Sequence, residues 1–473
     1  MNDVRQPELA HLTDHFLAVL QRVCRSIAKA GGRAWLVGGT VRDCSLGLPT
    51  RDFDLEVFGL RAIDLREALE KEYALDLVGA NFGILKLKGF PIDIGLPRRE
   101  TKTGRGHQGF LIDSDPELPL PEAAARRDFT INSMYLDPLN GELADPWGGL
   151  DDLRRGILRH TSSAFGEDPL RVLRGMQLVA RFNLQAAPDT LALCRAIGLE
   201  GMAAERIFAE WSKLLTLGTL PSRGLTFLKD ADWLKHFPEL AALPGVPQNP
   251  RWHPEGDVWV HTLHSLDVFA AEKIGEDMTE EMVENRHEDL VVGFAVLCHD
   301  LGKPDTTETS ADGTIRSLGH EQHGVDLTRA FLERMAVGPR LIEEITPLVA
   351  EHMRPATLFD ADASDAAVRR LAVRVGRIDR LLRVARADAL GRPPLSDDGF
   401  PAGEWLAEKA RILKVETAPP VPLIQGRHLM VLGQEPGRHF KEILNRLYEA
   451  QLAGKFMTEE EGIERARVLL RKK

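Results

Sequence analysis

The segment at residues 35–59, WLVGGTVRDCSLGLPTRDFDLEVFG, constrains the fold more than any other part of the chain. Within it, RDFDLEVF predicts a strand, because apolar side chains alternate with acidic ones. Asp52, Asp54 and Glu56 would then share one face and repel one another unless water or a positive charge lies between them. A solvated strand face is the commoner origin of such a pattern, since protein surfaces are normally charged.

Three features favour a bound cation at this strand. The sequence interleaves no lysine or arginine with the carboxylates on the same face. Gly38 and Gly39 precede Asp52 at a predicted strand-to-helix turn, where backbone N–H groups can approach a phosphate, and Arg42 follows one turn later. Carboxylate oxygens at this spacing suit Mg²⁺ that is also held by substrate phosphates. The segment therefore predicts a metal-dependent phosphoryl-transfer site.

The rest of the chain divides by its hydrophobic periodicity. Up to about residue 145, strand and helix patterns alternate and include a hairpin over 84–87 and 92–96, whereas helical spacing dominates beyond about residue 165. A turn-rich segment near residue 245 indicates a boundary within the helical part. The chain has 473 residues, of which 43% are hydrophobic, so it can form several cores. We predict a head at 1–145, a helical neck or body at 146–245, a second helical domain at 246–400 and a helical segment of unknown role at 401–473.

Charge, cysteine content and hydropathy narrow the class of protein. The 60 basic and 71 acidic residues give a net charge of −11, which argues against a surface coated with nucleic acid but allows a local basic groove. The 4 cysteines are widely separated and form no CxxC pair, as is typical of reduced cytosolic thiols. The sequence has no apolar run of membrane-spanning length and no leader pattern. We therefore expect a cytoplasmic protein with no membrane association and no obligate protein partner.

Three motifs, in order, resemble those of the tRNA nucleotidyltransferase and poly(A) polymerase family of the bacterial and eukaryotic type. They are LVGGTVRDCSLGLPTRDFDLEVFG, RRDFTINSMYLD and GEDPLRVLRGMQLVARF. The resemblance implies an α+β head, with a small mixed or antiparallel sheet and helices, followed by an all-α neck. It also implies template-independent addition of CCA to tRNA 3′ ends from CTP and ATP. The implied catalytic residues are Asp52 and Asp54, which would hold two Mg²⁺ ions, and Asp93 as a third carboxylate.

The same resemblance implies how the nucleotide is bound and chosen. In ARRDFT, the aspartate would accept from the ribose 2′-OH and an arginine would contact the triphosphate. Asp168 and Arg171 would accept from the amino group and donate to the ring nitrogen that cytosine and adenine share, and would reject guanine and uracil. An ion pair within one helix is the alternative for these two residues. The implied nucleotide-binding residues are Gly38, Gly39, Arg42, Arg126, Arg127, Asp128, Glu167, Asp168, Arg171 and Arg174, with Glu167 holding the template pair and Arg174 completing the site.

A second set of polar residues lies in the helical part. A histidine and an aspartate end the apolar run VVGFAVLC and need partners there. The order His, His-Asp, Asp resembles the HD phosphohydrolase superfamily, so the second helical domain would be an all-α HD domain. Its ligands for a divalent metal of unspecified identity would be His261, His299, Asp300 and Asp388. The resemblance implies hydrolysis of phosphoester ends, such as 2′,3′-cyclic phosphates, or trimming of damaged tRNA 3′ ends. Substrate phosphate or a second metal would be bound by His320, His323 and His352.

Other functions stay open at this point. The chain could be a poly(A) polymerase or a partial CC- or A-adding enzyme, or an HD phosphohydrolase whose head binds nucleotide without catalysis. LVGANFGILKLKGF lacks the Arg-Phe-rich strand of the poly(A) polymerases, which favours the tRNA enzyme. CC-only specificity would depend on the segment RRETKTGRGHQGF. The Asp52 and Asp54 pair argues against a head that only binds.

The helical part of the sequence also contains an arginine stripe and an acidic segment, and we expect both to be exposed to solvent. The stripe occurs at a spacing of three in GRIDRLLRVARAD, and we expect a solvated helix face, with RNA contact as the alternative. The acidic segment, residues 272–290, is also expected to be solvated. The stripe consists of Arg377, Arg380, Arg383 and Arg386.

Overall fold

The structure is a computed structural model, and its contacts divide the chain into two compact units. The first unit comprises residues 1–214 and 223–236, and the second comprises 215–222 and 237–473. The finer division into four domains stays a prediction. The residues that the structure describes are 4–7, 9, 14–50, 53–76, 84–102, 110–275, 282–395 and 399–471.

The first unit contains a seven-stranded mixed sheet. The strands of this unit are β1 (Arg33–Val37), β2 (Phe53–Phe58), β3 (Leu75–Asp76), β4 (Ile84–Leu87), β5 (Ile92–Gly95), β6 (Arg98–Lys102), β7 (Phe110–Ser114), β8 (Tyr135–Leu136), β9 (Leu143–Ala144), β10 (Ile157–Leu158) and β11 (Gln185–Ala186). The sheet runs in the order β3-β4-β5-β2-β1-β8-β9. β2 pairs antiparallel with β1 and parallel with β5, and β4 and β5 form the predicted hairpin. β6 and β7 pair with each other, and residues 103–109 between them, part of RRETKTGRGHQGF, lie outside the described residues.

The first unit also contains helices, and two of them, at Asp14–Lys29 and Gly39–Ser45, contact β1 of the sheet. The helices are α1 (Asp14–Lys29), α2 (Gly39–Ser45), α3 (Ala62–Glu70), α4 (Leu120–Ala125), α5 (Gly149–Arg155), α6 (Leu170–Phe182), α7 (Pro188–Arg195), α8 (Ala204–Leu217) and α9 (Pro221–Asp230), of which the last two contribute residues to both units. On α6, Val172, Met176 and Val179 are buried, which confirms the predicted core face. Short 3₁₀ turns lie before β8, at Thr130–Asn132, before α6, at Ser163–Glu167, and after α9, at Leu234–His236.

The second unit is built almost entirely of helices. They are α10 (Pro238–Ala241), α11 (Val258–Ala271), α12 (Met282–Cys298), α13 (Lys303–Thr306), α14 (His320–Arg334), α15 (Pro339–Glu351), α16 (Arg354–Asp360), α17 (Asp365–Val375), α18 (Ile378–Leu390), α19 (Pro401–Leu413), α20 (Gly426–Val431), α21 (His439–Leu452) and α22 (Glu459–Arg471). A mixed head followed by a helical remainder confirms the predicted fold class. The antiparallel hairpin of β12 (Thr307–Thr309) and β13 (Ile315–Ser317) departs from the all-helical expectation, because Gly313, at φ 81°, allows a tight turn there.

The arginine stripe of α18 lies against acidic residues and is not a solvated face. Arg380 donates to Glu288 and Glu344 at 2.6 and 2.7 Å, and Arg383 donates to Asp289. Arg386 binds Glu272 at 2.7 Å. The solvated-face predictions are therefore wrong for Arg380 and Arg383 and for their partners in the acidic segment. The side chains of Arg386 and Glu272 are paired but remain 43% and 36% exposed. An RNA contact through these arginines would first have to break these pairs.

The C-terminal helices have a small core of their own, formed by α20, α21 and α22. Its buried members include Leu429, Leu447 and Phe456. Among the helices of the described residues, none is both long enough and apolar enough to cross a membrane.

Candidate functional site

The carboxylates of the head meet because two strands pair in parallel. β2 and β5 are in register so that Asp54 lies opposite Asp93, and side chains opposite each other on adjacent parallel strands point to the same face. Asp54 is exposed. Asp93 is paired with Lys86 of β4 at 2.5 Å, which offsets part of the negative charge. The structure thus brings Asp54 and Asp93 together, whereas Asp52 lies outside the described residues.

Glu56, the third acid of the strand, is compensated by the protein itself. Its buried carboxylate accepts hydrogen bonds from Arg127 Nη2 at 2.9 Å and from the Tyr135 hydroxyl at 3.0 Å. The Arg127 guanidinium also lies over the Tyr135 ring, 5.4 Å from its centroid. At Glu56, the positive charge that the sequence pattern requires is therefore an arginine of the protein and not a metal ion. This arginine lies 71 residues after Glu56, so the periodicity of the strand could not predict the pairing.

The glycine turn after β1 lies beside these charges. Gly38 has φ 73°, a conformation that L side chains rarely adopt. A Cβ at this position would lie 3.4 Å from Arg127 Nη1 and 3.8 Å from Asp54 Oδ2. Arg127 Nε is buried and has no hydrogen-bond partner among the described residues. One small region at the end of β1 is therefore bordered by the Arg127 guanidinium, the Asp54 carboxylate and the Gly38 turn, which has no side chain.

Arg42 anchors this turn through its own contacts. Its buried guanidinium donates to Asp43 at 2.7 and 2.9 Å and to Asn132 Oδ1 at 2.6 Å. It also lies over the ring of Phe182, 4.4 Å from the centroid. A Cβ on Gly39 would lie 3.2 Å from Arg42 Nη2, so the guanidinium is next to the turn, as predicted. A direct phosphate contact by Arg42 would require it to give up some of these bonds.

Asp128 is a buried carboxylate held by three N–H donors. Oδ1 accepts from the Phe129 backbone at 2.8 Å and from Asn132 Nδ2 at 3.0 Å, and Oδ2 accepts from Arg174 Nε at 2.6 Å. Burial by itself would raise the pKa of Asp128, but Arg174 and Asn132 outweigh it and lower this pKa to about 2. Asp128 is therefore ionised and fixed, with one of its roughly four acceptor positions left over. The neighbouring Arg126 donates to the carbonyl of Arg98.

The predicted template pair is held by separate partners. Asp168 precedes α6 with an extended backbone, and it accepts from the Leu170 N–H at 3.0 Å and from Arg206 Nη2 at 2.9 Å. Asp168 and Arg171 form no ion pair with each other in the described part of the chain, so the alternative prediction for these two residues is wrong. Sequence analysis did not predict a role for Arg206, which lies on α8, 38 residues after Asp168. Only the packing of the folded chain brings the two side chains together.

Arg171 donates to two backbone carbonyls. They belong to Ala164, at 2.8 Å, and to Arg126, at 2.6 Å. Glu167 is exposed and makes no hydrogen bond or ion pair within the described ranges. It therefore makes no contact here that would hold Asp168 and Arg171 in place, although that role was predicted for it. Arg171 therefore ties the start of α6 to the motif that carries Asp128.

In the second unit, the four predicted HD ligands converge from three helices and their ends. His261 of α11 places Nε2 at 3.2 Å from His299 Nε2 and 3.1 Å from an Asp388 oxygen. Asp300 lies at 3.3 Å from His299 Nε2 and 3.8 Å from His261 Nε2. All but Asp388 are almost fully buried, and Asp388 is 18% exposed. These atoms form a compact set of imidazoles and carboxylates, a normal environment for a divalent transition metal.

Two of the three additional histidines complete a second cluster around Asp300. His320 Nε2 lies 3.4 Å from Asp300 and 3.3 Å from His352 Nε2. His323 does not join them, because it is exposed and pairs with Asp305 at 2.9 Å. Asp300, His320 and His352 could hold one cation, and His261, His299 and Asp388 could hold another. Asp300 lies between the two clusters.

Backbone carbonyls fix the tautomers of three of these histidines. Nδ1 of His299, His320 and His352 lies 2.7 Å from the carbonyl three residues earlier in each case. A carbonyl can only accept, so each Nδ1 carries a hydrogen, and each ring in its neutral form presents its Nε2 lone pair to the centre. Lone pairs of His320 and His352 facing each other at 3.3 Å repel unless a cation or proton lies between them. The donor set therefore fits metal ions.

The pKa values of the groups in this centre shift in different directions, according to the charges that lie next to each group. Burial would lower the pKa of His261, but Asp388 and Glu255 outweigh it and raise this pKa to about 9. Burial and the nearby His299 lower the pKa of His352 to about 3. Burial would raise the pKa of Asp300, yet His299 and Lys303 hold it well below its usual range. Both Asp300 oxygens are buried and have no hydrogen-bond partner in the described ranges, although the Lys303 ammonium is 2.7 Å away.

Sequence reasoning missed several residues around this centre. Lys303 is buried between Asp300 and Gln248, to which it donates at 2.7 Å. Glu255 and His253 contact His261 from the turn-rich segment that sequence analysis treated only as a domain boundary. The positions of His253 and Glu255, 8 and 6 residues before His261, are a signal that could have suggested them.

Comparison with known proteins matches each of the two sites to a domain family. The Poly A polymerase head domain model matches residues 34–159, and the HD domain model matches 261–392. The Multifunctional CCA protein of Laribacter hongkongensis is 38% identical over 382 residues, which are 78% of this chain and 87% of that protein. The chain belongs to the multifunctional CCA protein family. The same name is carried by a relative from Nitrosococcus oceani, 35% identical over 401 residues, which are 82% of this chain and 92% of the relative.

Solved structures support the fold of this family member. The Bacillus stearothermophilus CCA-adding enzyme, in complex with CTP, aligns with a TM-score of 0.64 and 20% identity, over 98% of this chain and 100% of that one. The Thermotoga maritima CCA-adding enzyme, complexed with tRNA, aligns with a TM-score of 0.60 and 19% identity, over 99% of this chain and 98% of that one. At this identity the similarity shows a shared fold.

Proposed function

We propose that this multifunctional CCA protein adds CCA to tRNA 3′ ends from CTP and ATP in its first unit, and hydrolyses phosphoester ends at the HD centre of its second unit. The observation that carries the first activity is the parallel register of β2 and β5, which sets Asp54 beside Asp93 next to the Gly38 turn. Family membership and the two matched domain models support both activities. Its four cysteines are free and buried, which is consistent with a reducing cytoplasm as its place of action.

In the head, the family resemblance gives each predicted site residue a task. Asp52, Asp54 and Asp93 would hold Mg²⁺, which when bound lowers the pKa of the attacking 3′-hydroxyl and stabilises the departing pyrophosphate. Arg127, fixed by Glu56, would face the phosphates across the Gly38 turn, where the backbone leaves space. Asp128 would use its remaining acceptor position for a ribose hydroxyl.

Base choice would be made by Asp168 and Arg171. The contacts with Arg206 and with backbone carbonyls hold these side chains in place and leave both with spare hydrogen-bonding capacity. Cytosine and adenine offer an amino donor beside a ring-nitrogen acceptor, which this pair would satisfy. Guanine and uracil would place acceptor against acceptor and donor against donor, and an unsatisfied polar contact in a closed site is strongly rejected.

The first activity is tested with tRNA transcripts that end at the discriminator base, after one C and after CC. Each transcript is offered CTP, ATP, GTP or UTP alone, and then CTP with ATP. We expect all three to grow to CCA, with GTP and UTP refused. Stalling after CC, or long A tails, would assign a sister activity. Failure to incorporate any nucleotide would refute the assignment of the head.

The HD centre would bind two divalent metals through its two histidine and carboxylate clusters. Imidazole-rich ligand sets favour transition metals over Mg²⁺. When bound, such metals generate a nucleophilic hydroxide at neutral pH and polarise the phosphoryl group. Lys303, whose ammonium lies beside Asp300, would bind the substrate phosphate, and the backbone-fixed tautomers would keep each Nε2 directed inward.

The second activity is tested with RNA ending in a 2′,3′-cyclic phosphate. Purified protein, stripped of metal, is assayed with Mg²⁺, Mn²⁺, Co²⁺ or Ni²⁺. We expect hydrolysis with one or more of the transition metals, and loss of hydrolysis in D300A with nucleotide addition retained. Hydrolysis that is equal in D300A, or absent with every metal, would refute this assignment.

A further inference from the structure

We propose that Glu255 is a positioning residue of the HD centre, which fixes the tautomer and orientation of His261 from the turn before α11. The inference rests on the proposed metal-dependent hydrolase and adds a residue outside the ligand set. It also assigns a purpose to the turn-rich segment between residues 245 and 258.

The first observation is the contact itself. The Glu255 side chain is completely buried, with Oε1 at 2.8 Å from His261 Nδ1 and 2.9 Å from His253 Nδ1. The same oxygen thus serves two imidazoles, whose ring centroids are 4.8 Å apart.

The chemical consequence concerns the opposite side of the His261 ring. One carboxylate oxygen placed at hydrogen-bond distance from two imidazole nitrogens accepts from both of them, so Nδ1 of His261 carries a hydrogen. Its Nε2 then faces Asp388 and His299 at 3.1 and 3.2 Å, where a metal ligand is needed. A carboxylate bound to the distal nitrogen of a metal-ligating histidine fixes the ring and raises its basicity as a ligand.

A comparison within the centre shows why this histidine needs a carboxylate. His299, His320 and His352 each use the carbonyl three residues earlier. The corresponding carbonyl for His261 belongs to Val258, and it accepts from the Thr262 hydroxyl at 2.8 Å. Glu255 therefore takes the role at His261 that the backbone has at the other three rings.

The turn that carries Glu255 is anchored to the centre at a second point. Gln248 donates to the Gly256 carbonyl at 3.4 Å and accepts from Lys303, whose ammonium lies 2.7 Å from Asp300. Asp257 then caps α11 by accepting from the Val260 N–H at 2.9 Å. Gly256, at φ 132°, connects the two in a conformation that L side chains rarely adopt. The segment is therefore part of the site's support.

The buried Glu255 carboxylate has no lysine or arginine partner in the described part of the chain, although it belongs with His253 and His261 to a group that could itself hold a cation. Within the described residues, it forms ion pairs only with the two histidines, and Oε2 is buried without a hydrogen-bond partner. Burying a carboxylate without a lysine or arginine partner is costly. This cost is consistent with a functional requirement for the negative charge behind His261.

The test measures Co²⁺ affinity of the full-length chain by equilibrium dialysis in excess Mg²⁺, together with the visible absorption of the bound Co²⁺. E255A removes the acceptor and E255Q keeps the shape without the charge. E239Q is the matched control, since Glu239 is another buried glutamate of the second unit and binds Arg334 instead. We expect about 10- to 100-fold weaker Co²⁺ binding in E255A, a smaller loss in E255Q, and an altered Co²⁺ spectrum in both. E239Q should bind Co²⁺ like the wild type, and all variants should keep CCA addition.

Several outcomes would overturn the inference, and they are distinguishable. If E255A and E255Q lower the melting temperature but leave Co²⁺ affinity and spectrum unchanged in the folded protein, Glu255 has only a structural role. If E255A does not fold, E255Q alone decides, and wild-type affinity in that variant refutes the proposal. If the wild type takes up no Co²⁺ and H261A behaves identically, the proposed hydrolase fails and this inference fails with it.

Discussion

Replacing Arg174 with methionine should destabilise the first unit by about 2 kcal/mol at pH 7. Asp128 is 7% exposed, and Arg174 is the only charged group among its three donors. A tenfold change in an ionisation constant is worth about 1.4 kcal/mol. The lowering of the Asp128 pKa from 3.8 to about 2 therefore corresponds to about 2.5 kcal/mol, net of the cost of burial. Arg174 makes the largest favourable contribution to that value, but it is 38% exposed, so part of it is screened by water.

The assay is a double-mutant cycle of R174M and D128N, followed by urea unfolding with peptide-resolved hydrogen exchange to separate the two units. We expect a coupling energy of about 1–2 kcal/mol. R171M is the control, because Arg171 lies on the same helix but donates to backbone carbonyls, and it should show no coupling with D128N.

The pH dependence of the same variants gives an independent check. Because the folded-state pKa of Asp128 is lowered, its contribution is fully present above pH 3.8 and is lost as the pH falls through about 2. The difference in stability between wild type and R174M should therefore shrink over this range. A coupling energy under about 0.5 kcal/mol, or a difference that does not change with pH, would refute the reasoning.

Three further predictions concern the metal centre, the helix-pairing arginines and the head. H352A should lower the metal content of the HD centre by one ion per chain, whereas H323A should leave it unchanged, as measured by elemental analysis after dialysis. R380M should cost about 3 kcal/mol in thermal or urea unfolding of the second unit, because the buried Glu288 and the partly buried Glu344 would lose their shared cation. Y135F should cost about 1 kcal/mol by removing the hydroxyl donor of Glu56, measured by urea unfolding at pH 7.

The sequence predicted the elements whose pattern is local. The alternation in RDFDLEVF and the hairpin over 84–87 and 92–96 appear as β2, β4 and β5, because strand periodicity and turn residues act over a few positions. The HD ligands converge as the motif order indicated. Asp93 also meets Asp54, although only the parallel pairing of two strands 39 residues apart brings this about.

The remaining contacts depend on partners that are distant in sequence. Arg127 neutralises Glu56 from 71 residues away, and Arg206 holds Asp168 from 38 residues away. No periodicity encodes such pairs, since they arise only when separate elements pack. The arginine stripe of α18 illustrates the same limit, because a charged helix face has the same pattern whether water or an acidic helix covers it.

The most direct test of the account compares CCA addition by the wild type and by D54N. The transcript ends at the discriminator base, CTP and ATP are supplied with Mg²⁺, and hydrolysis of an RNA 2′,3′-cyclic phosphate by the same preparation reports whether the second unit is intact. The account predicts that D54N loses nucleotide addition by about a thousandfold or more while hydrolysis is unchanged, because two-metal transfer depends on this carboxylate. Nucleotide addition by D54N at the wild-type rate would contradict it.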